Sequence, residues 1–305
     1  MQRFILRRFF QSLVVLLVVA VVVFALARVT GNAADLLLPE DAGREDREHL
    51  LKALGLDRPM HEQLARFLKG ALSGDLGMSI RYRKPAVEVF FERLPNTLTL
   101  VPIALLSAIV ISIPLGLLAA VYRGTIIDRV SGAIAVLGIA TPSFWLGIVL
   151  IYIFSIQLGW LPSARMGGPA HYILPTITLA AFLVAGMMRL VRSSVLEVLN
   201  SEFVKLARIK GLSQTVVIWK HCLRNALIPV VTLFGVFFAL LVTGAIVTET
   251  VFAWPGVGRL TYEAVIFRDY PLLQAVILLK AMIVLGVNLA VDILYAYLDP
   301  RVRYS

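Results

Sequence analysis

Side chains able to bind a metal, attack a carbonyl or move a proton are few in this 305-residue chain, and their spacing suits none of those tasks. The four histidines, His49, His61, His171 and His221, stand far apart, with no His-Glu-x-x-His helix to turn two imidazoles toward a zinc ion. Cys222 is the single cysteine, which excludes a disulfide framework. A loop that cradles nucleotide phosphates needs Gly-x4-Gly-Lys-Ser/Thr, yet the sequence contains no Gly-Lys pair. The Gly-x-Ser-x-Gly nucleophile turn is missing as well. Lys280 and Asp292, the chief ionisable groups inside apolar stretches, make no nucleophile-and-base pair. The chain is expected to carry no catalytic residue, no metal site and no cofactor of its own, so any energy source lies elsewhere.

The elements around these residues are apolar. The composition is 59% hydrophobic and 16% charged with a mean hydropathy of +0.85, whereas soluble chains carry roughly 25% charged residues. Of the 48 charged residues (29 basic plus 19 acidic), 22 lie between Arg28 and Arg93. This describes a membrane protein with one polar excursion. The net charge of +10 does not point to nucleic acid, because the basic residues flank apolar runs instead of clustering on a solvated fold.

Six stretches approach the ~20 apolar residues a helix needs to cross a bilayer: Phe9–Ala27, Leu98–Val121, Val130–Leu158, Tyr172–Leu190, Leu227–Val247 and Leu272–Leu298. An all-α integral membrane fold with six transmembrane helices is therefore expected. The first stretch has a basic flank (Arg3, Arg7, Arg8) and an Ala25-Leu26-Ala27 site that mimics signal cleavage. Its apolar core, about 18 residues, exceeds the usual 7–15 of a signal peptide, so a retained helix is expected. Placing the N-terminus in the cytoplasm puts Arg123, Arg129, Arg189, Arg192, Lys205, Arg208, Lys210, Lys220, Arg224, Arg301 and Arg303 inside with the first three arginines. Only Arg165, Arg259 and Arg268 then face outward in short loops, which orients both termini inward. Pro102, Pro114 and Pro142 fall within spans, as packing kinks or as hinges. Repeated halves of the kind common in secondary transporters are not evident.

Residues 28–96 form the polar excursion, with amphipathic helices expected at Asp46–Leu54 and Met60–Leu72 and Gly55 closing the first. The second informative segment is Val191–Ala226. Its first half reads as a helix that Gly211 can end in the left-handed conformation, and Ser213 is placed to cap a second helix. The result is a basic elbow with apolar Phe203, Leu206 and Ile209 among its charges. Such a surface suits a protein groove or anionic headgroups.

The run Glu202-Phe-Val-Lys-Leu-Ala-Arg-Ile-Lys-Gly-Leu-Ser213 resembles the cytoplasmic coupling motif of permease subunits of binding-protein-dependent ATP-binding-cassette importers, in the dipeptide, oligopeptide and nickel branch. The general pattern is Glu-Ala-Ala, three residues, then Gly; Ala207 and Gly211 match it, while Lys205 and Leu206 follow the divergent branch. Similar branch signatures are Leu54–Pro59, Gly74-Asp-Leu-Gly77 with Ser79, Arg93-Leu-Pro-Asn-Thr97, Phe144-Trp-Leu-Gly147, Leu158–Pro162, Glu249–Arg259, Asp269-Tyr-Pro271 and Leu298-Asp-Pro-Arg301. Asn288 and Asp292 also fit. The long first loop looks like the first of the two paired permease types. The resemblance implies type I importer architecture and multi-pass residence in the bacterial inner membrane. It also implies a second permease as heterodimeric partner, two ATPase subunits that bind ATP and Mg, and an extracytoplasmic solute-binding protein. The implied solute is a short peptide, or else a nickel chelate, opine or glutathione.

On this reading the domains are an N-terminal helix (1–27), an extracytoplasmic loop (28–96), a permease core (97–298) containing the elbow (191–226), and a cytoplasmic tail (299–305). Glu202, Lys205, Leu206, Ala207, Arg208 and Gly211 are the expected ATPase-coupling residues. Glu249 and Trp254–Gly258 are expected at the outer mouth, as a gate or as a fixed turn. Gln274, Asn288 and Asp292 share one side of the last span and Lys280 stands some 80–120° away. Together with Glu249 they are expected along the translocation path, or Lys280 bonds a carbonyl of the partner permease.

Overall fold

The computed structural model describes residues 2–29, 43, 45, 52 and 57–298, and every regular element among them is a helix. The helix expected at Asp46–Leu54 and its stop at Gly55 lie outside the described residues apart from Lys52, as does the tail.

Among the described residues four helices are long and apolar enough to cross a membrane: Ile5–Arg28, Ala86–Val121, Ala170–Leu199 and Tyr270–Ile293. The third expected span is not one helix. Ile126–Ala140 and Ser143–Gln157 meet at 102°. The cause is local: Pro142 lacks an N–H and bars the residue before it from the α region, so Thr141 sits extended at ψ 119°. The last seven residues of the second limb, Ile151–Gln157, wind as a π-helix. In contrast, the helix Ala86–Val121 runs on through Pro102 and Pro114. The expected span Leu227–Val247 also divides, into Ile228–Gly244 and Ile246–Val251. The first piece has 17 residues, and at 1.5 Å per residue reaches about 26 Å.

The described residues form two compact units, one made of those up to Thr97 together with those from Pro255, the other Leu98–Trp254. In the first unit the helix Gln2–Val29 packs along Tyr270–Leu298 and touches Met60–Ser73. Phe24 and Phe67 meet at 5.7 Å between ring centres, and Arg28 Nε donates to Gln63 Oε1 at 2.8 Å. Phe90, Val257, Leu260, Leu272 and Val276 centre its core.

In the second unit Ala170–Leu199 is the hub. Both limbs of the broken span, Ile228–Gly244, Ile246–Val251 and the end of the elbow all pack on it. Small residues set the spacing, as van der Waals packing between membrane helices requires. A Cβ on Gly116 would lie 2.7 Å from the Met188 carbonyl oxygen, and one on Gly138 would lie 2.9 Å from Ala185 Cβ.

Candidate functional site

The elbow is shorter than its sequence suggested, because the hub helix continues past Leu190 to Leu199 and the elbow helix proper is Glu202–Ile209. That helix ends as expected at Gly211, with φ +80°. The Gly211 N–H donates to the Arg208 carbonyl at 3.0 Å and the Leu212 N–H to the Ala207 carbonyl at 3.3 Å, the paired bonds of a Schellman stop. Ser213 Oγ accepts from the Val216 N–H at 3.5 Å and opens the return helix, whose middle, Val217–Cys222, is π-helical.

The helix has two apolar faces. Val204 and Ala207 are buried with Val217 and Cys222 in a small core of the elbow's own, backed by Val198 and Leu199. Ala207, expected to pack into a partner, is thus occupied internally. Phe203, Leu206 and Ile209 are exposed, Ile209 at 81%. Glu202, Lys205, Arg208 and Gly211 are exposed too, with Lys205 Nζ 2.8 Å from Glu202 Oε1. Burial pushes the Cys222 thiol up, which keeps it neutral. The outward face therefore offers apolar anchors ringed by charge, with its own backing already packed.

The Glu249–Arg259 segment is built the opposite way. The helix Ile246–Val251 stops at Ala253, which takes φ +47° although it carries a Cβ. The Trp254 N–H donates to the Glu249 carbonyl at 2.7 Å and the Ala253 N–H to that of Thr250 at 3.1 Å. Glu249, Phe252 and Trp254 are buried. Trp254 meets Tyr172 edge-to-face at 4.7 Å, and the Phe252 carbonyl accepts from the Arg165 N–H at 2.8 Å. Val257, within the segment expected to be a gate or a fixed turn, is fully buried.

Two sequence signatures meet at the start of the next helix, Val257–Ile266. Asn96 Nδ2 donates to the Pro255 carbonyl at 2.8 Å, and Thr97 Oγ1 accepts from the Val257 N–H at 2.8 Å. Two more meet where the last helix begins. Buried Asp269 accepts from Ser79 Oγ at 2.5 Å, from the Arg81 N–H at 3.1 Å and from the Leu272 N–H at 3.2 Å, the last being an N-cap bond. Between them, Glu263 takes Tyr82 Oη at 2.6 Å and Arg259 Nε at 2.9 Å. Burial and that hydrogen bond push the Tyr82 phenol above its ordinary value. Sequence reasoning named these segments but not their pairing, since Ser79 and Asp269 are 190 positions apart.

The polar residues of the last helix have different surroundings. Gln274 and Lys280 are buried, and Lys280 Nζ donates to Thr261 Oγ1 of this same chain at 3.3 Å. Asn288 is exposed. Asp292 lies 3.4 Å from Arg8 Nε on the first helix. A further ion pair was not foreseen: Arg192, on the hub helix, makes a two-pronged contact to Asp128 at 2.6 and 3.0 Å, in the first turn of Ile126–Ala140.

A cavity of about 400 Å³ opens at the Thr141–Pro142 break. Thr141, Ser143, Thr178 and Thr248 line it among apolar neighbours such as Phe182 and Leu241, and none of its lining residues is charged.

Residues 112–304 match the family described as binding-protein-dependent transport system inner membrane component. Residues 1–101 match the N-terminal domain of such components. The glutathione transport system permease protein GsiC of Escherichia coli strain K12 is 41% identical over 306 residues, covering the full length of both chains. Its counterpart in Salmonella paratyphi A is equally similar. An inward-facing structure of the MetNI methionine ABC transporter superposes with a TM-score of 0.60 at 20% identity, over 69% of this chain and 96% of that one, and so shares the fold. With full-length relatives, a matched family and a shared permease fold, this chain belongs to the binding-protein-dependent inner membrane components and is a multi-pass permease subunit of an ABC importer.

Proposed function

We propose that this permease pairs with a second, related permease and imports short peptides, glutathione among them, handed over by an extracytoplasmic binding protein. Two cytoplasmic ATPase subunits, which hold ATP and Mg, drive the cycle. The chain crosses the membrane six times with both termini inside, the broken span and Ile228–Gly244 supplying the crossings beyond the four long helices. The observation that carries the reading is the elbow. Phe203, Leu206 and Ile209 stand exposed on a helix whose other face is already packed, and an exposed apolar stripe rimmed by charge is what an ATPase groove would bury. Ala207 and Gly211 then shape the elbow, while Glu202, Lys205, Leu206 and Arg208 face the ATPase.

Among the residues expected on the path, Lys280 holds Val257–Ile266 against the last helix through Thr261, and Asp292 holds the first helix through Arg8. Glu249 fixes the turn before Trp254. Glutathione comes first among solutes to try because it is the substrate in the relatives' name, and alanyl-alanine comes second. The test is ATP hydrolysis by the assembled importer in nanodiscs. Stimulation by binding protein loaded with either peptide is expected, and stimulation by neither would refute the peptide assignment.

A further inference from the structure

We propose that the cavity at the Thr141–Pro142 break is a solute subsite that receives the uncharged amide portion of a peptide on its way through this subunit. The proposal rests on the peptide-import reading above and adds a place and a chemistry to it. The volume, about 400 Å³, falls in the range of small-molecule pockets, roughly 300–1,000 Å³. The cavity offers both hydrogen-bonding senses in a half-open recess whose rim is apolar, with Ile139, Phe182 and Leu240 exposed and Thr178 and Thr248 buried. A broken helix leaves the last carbonyls of Ile126–Ala140 and the first N–H groups after Pro142 without intrahelical partners. Discontinuous helices serve transporters in this way, because irregular backbone is tolerated at membrane depth only where protein or a cavity satisfies it.

The side chains extend the same chemistry. Thr178, one of the lining residues, spends its proton on the Leu174 carbonyl at 2.9 Å, so its hydroxyl oxygen can serve only as an acceptor. Ser143 and Thr248 can donate or accept. Peptide groups need that mixture, and an acyl chain can use none of it. No lining side chain is charged, so a free carboxylate or ammonium placed here would find no counter-charge for the hydration it gives up. The portion accommodated is therefore neutral: backbone amides with a small apolar side chain against Phe182 and Leu179.

The test uses the complete importer in liposomes, with uptake of labelled alanyl-alanine and labelled glutathione measured beside binding-protein-stimulated ATP hydrolysis. The paired near-isosteric changes Ser143→Ala and Thr248→Val remove two hydroxyls without altering the fold. About ten-fold lower uptake is expected, with stimulated ATP hydrolysis within about two-fold of wild type, because the subsite acts after handover. Ala181→Leu, which fills the cavity from the hub helix, should act in the same direction. Unchanged uptake in the hydroxyl variant overturns the subsite, and so does equal loss of uptake and ATP hydrolysis, which would report a structural role. Failure of wild type to move either peptide removes the peptide reading and this proposal with it.

Discussion

Two helix ends in this permease use the same hydrogen-bond pattern for opposite purposes. At Gly211 and at Ala253 the chain turns through a left-handed residue, and in each case one N–H reaches back three positions and the next reaches back five. The elbow spends this stop on presentation. Its anchors Phe203, Leu206 and Ile209 are exposed, and only its rear face has a core. The Ala253 stop spends it on enclosure, with Phe252 and Trp254 buried within the second unit. A strong turn therefore says nothing about motion or docking until the exposure of its neighbours is known. Exposure separates the two: the elbow's outward face is open, and the neighbours of Ala253 are enclosed.

The comparison can be broken most severely inside the elbow itself. Val204 is fully buried and Leu206, two residues on, is 51% exposed. Val204→Asp should cost on the order of 3 kcal/mol or more by placing an unpaired charge in the elbow core, and thermal unfolding in detergent should record it. Leu206→Asp should leave that unfolding unchanged while abolishing co-purification of the ATPase. Equal destabilisation by both would show that the two faces are not distinct. Gly211→Val comes next, at roughly 1–2 kcal/mol for a Cβ in the left-handed region. Nothing lies within 4 Å of a Cβ there, so the cost is conformational. The permease should insert normally yet lose solute-stimulated ATP hydrolysis, and normal transport would reduce the elbow to a topological loop.

These features were not equally legible in the sequence. Gly211 could be read because a glycine follows an amphipathic run and a capping serine follows the glycine, all within twelve residues. Pro142 announced a distortion, but not that two limbs would meet at 102°, since that angle depends on how each limb packs on the hub helix. Ala253 gave no signal: alanine is a helix former, and only the surrounding packing holds it left-handed. The partners of Asp269 and Thr97 were invisible for another reason. Each signature looks self-contained, and contacts between segments some 160–190 positions apart leave no periodicity to detect. The cost of a charge at depth singled Lys280 out in the sequence, whereas its burial and its bond to Thr261 required the fold.

On the enclosed side, Thr97→Val tests whether the helix Val257–Ile266 is held from outside its own sequence. The substitution keeps the shape and leaves the Val257 N–H without the oxygen that lies 2.8 Å away. A buried donor stranded in this way costs about 1–3 kcal/mol. A lower unfolding temperature with unchanged ATPase co-purification is the expected result, and no shift would show that another acceptor replaces the hydroxyl.

The smallest effect comes from exchanging the two left-handed residues. Ala253 carries the penalty of a Cβ at positive φ, roughly 1–2 kcal/mol, and Gly211 avoids it. Glycine at 253 would relieve that strain, but it also raises the entropy lost on folding by about 0.5–1 kcal/mol and gives up a half-buried methyl group. Ala253→Gly should therefore raise stability by only about 0.5 kcal/mol, or some 1–2 °C in unfolding temperature for a chain of this size. Gly211→Ala loses on the strain and gains only the smaller entropy, so its sign is reversed. Opposite shifts from the two substitutions would show that the chain tolerates strain at the enclosed turn, where packing compensates, and avoids it at the exposed one, where nothing does. Shifts of the same sign would mean that the local environment at 253 favours the methyl group, and the left-handed alanine would then be a packing choice instead of a tolerated cost.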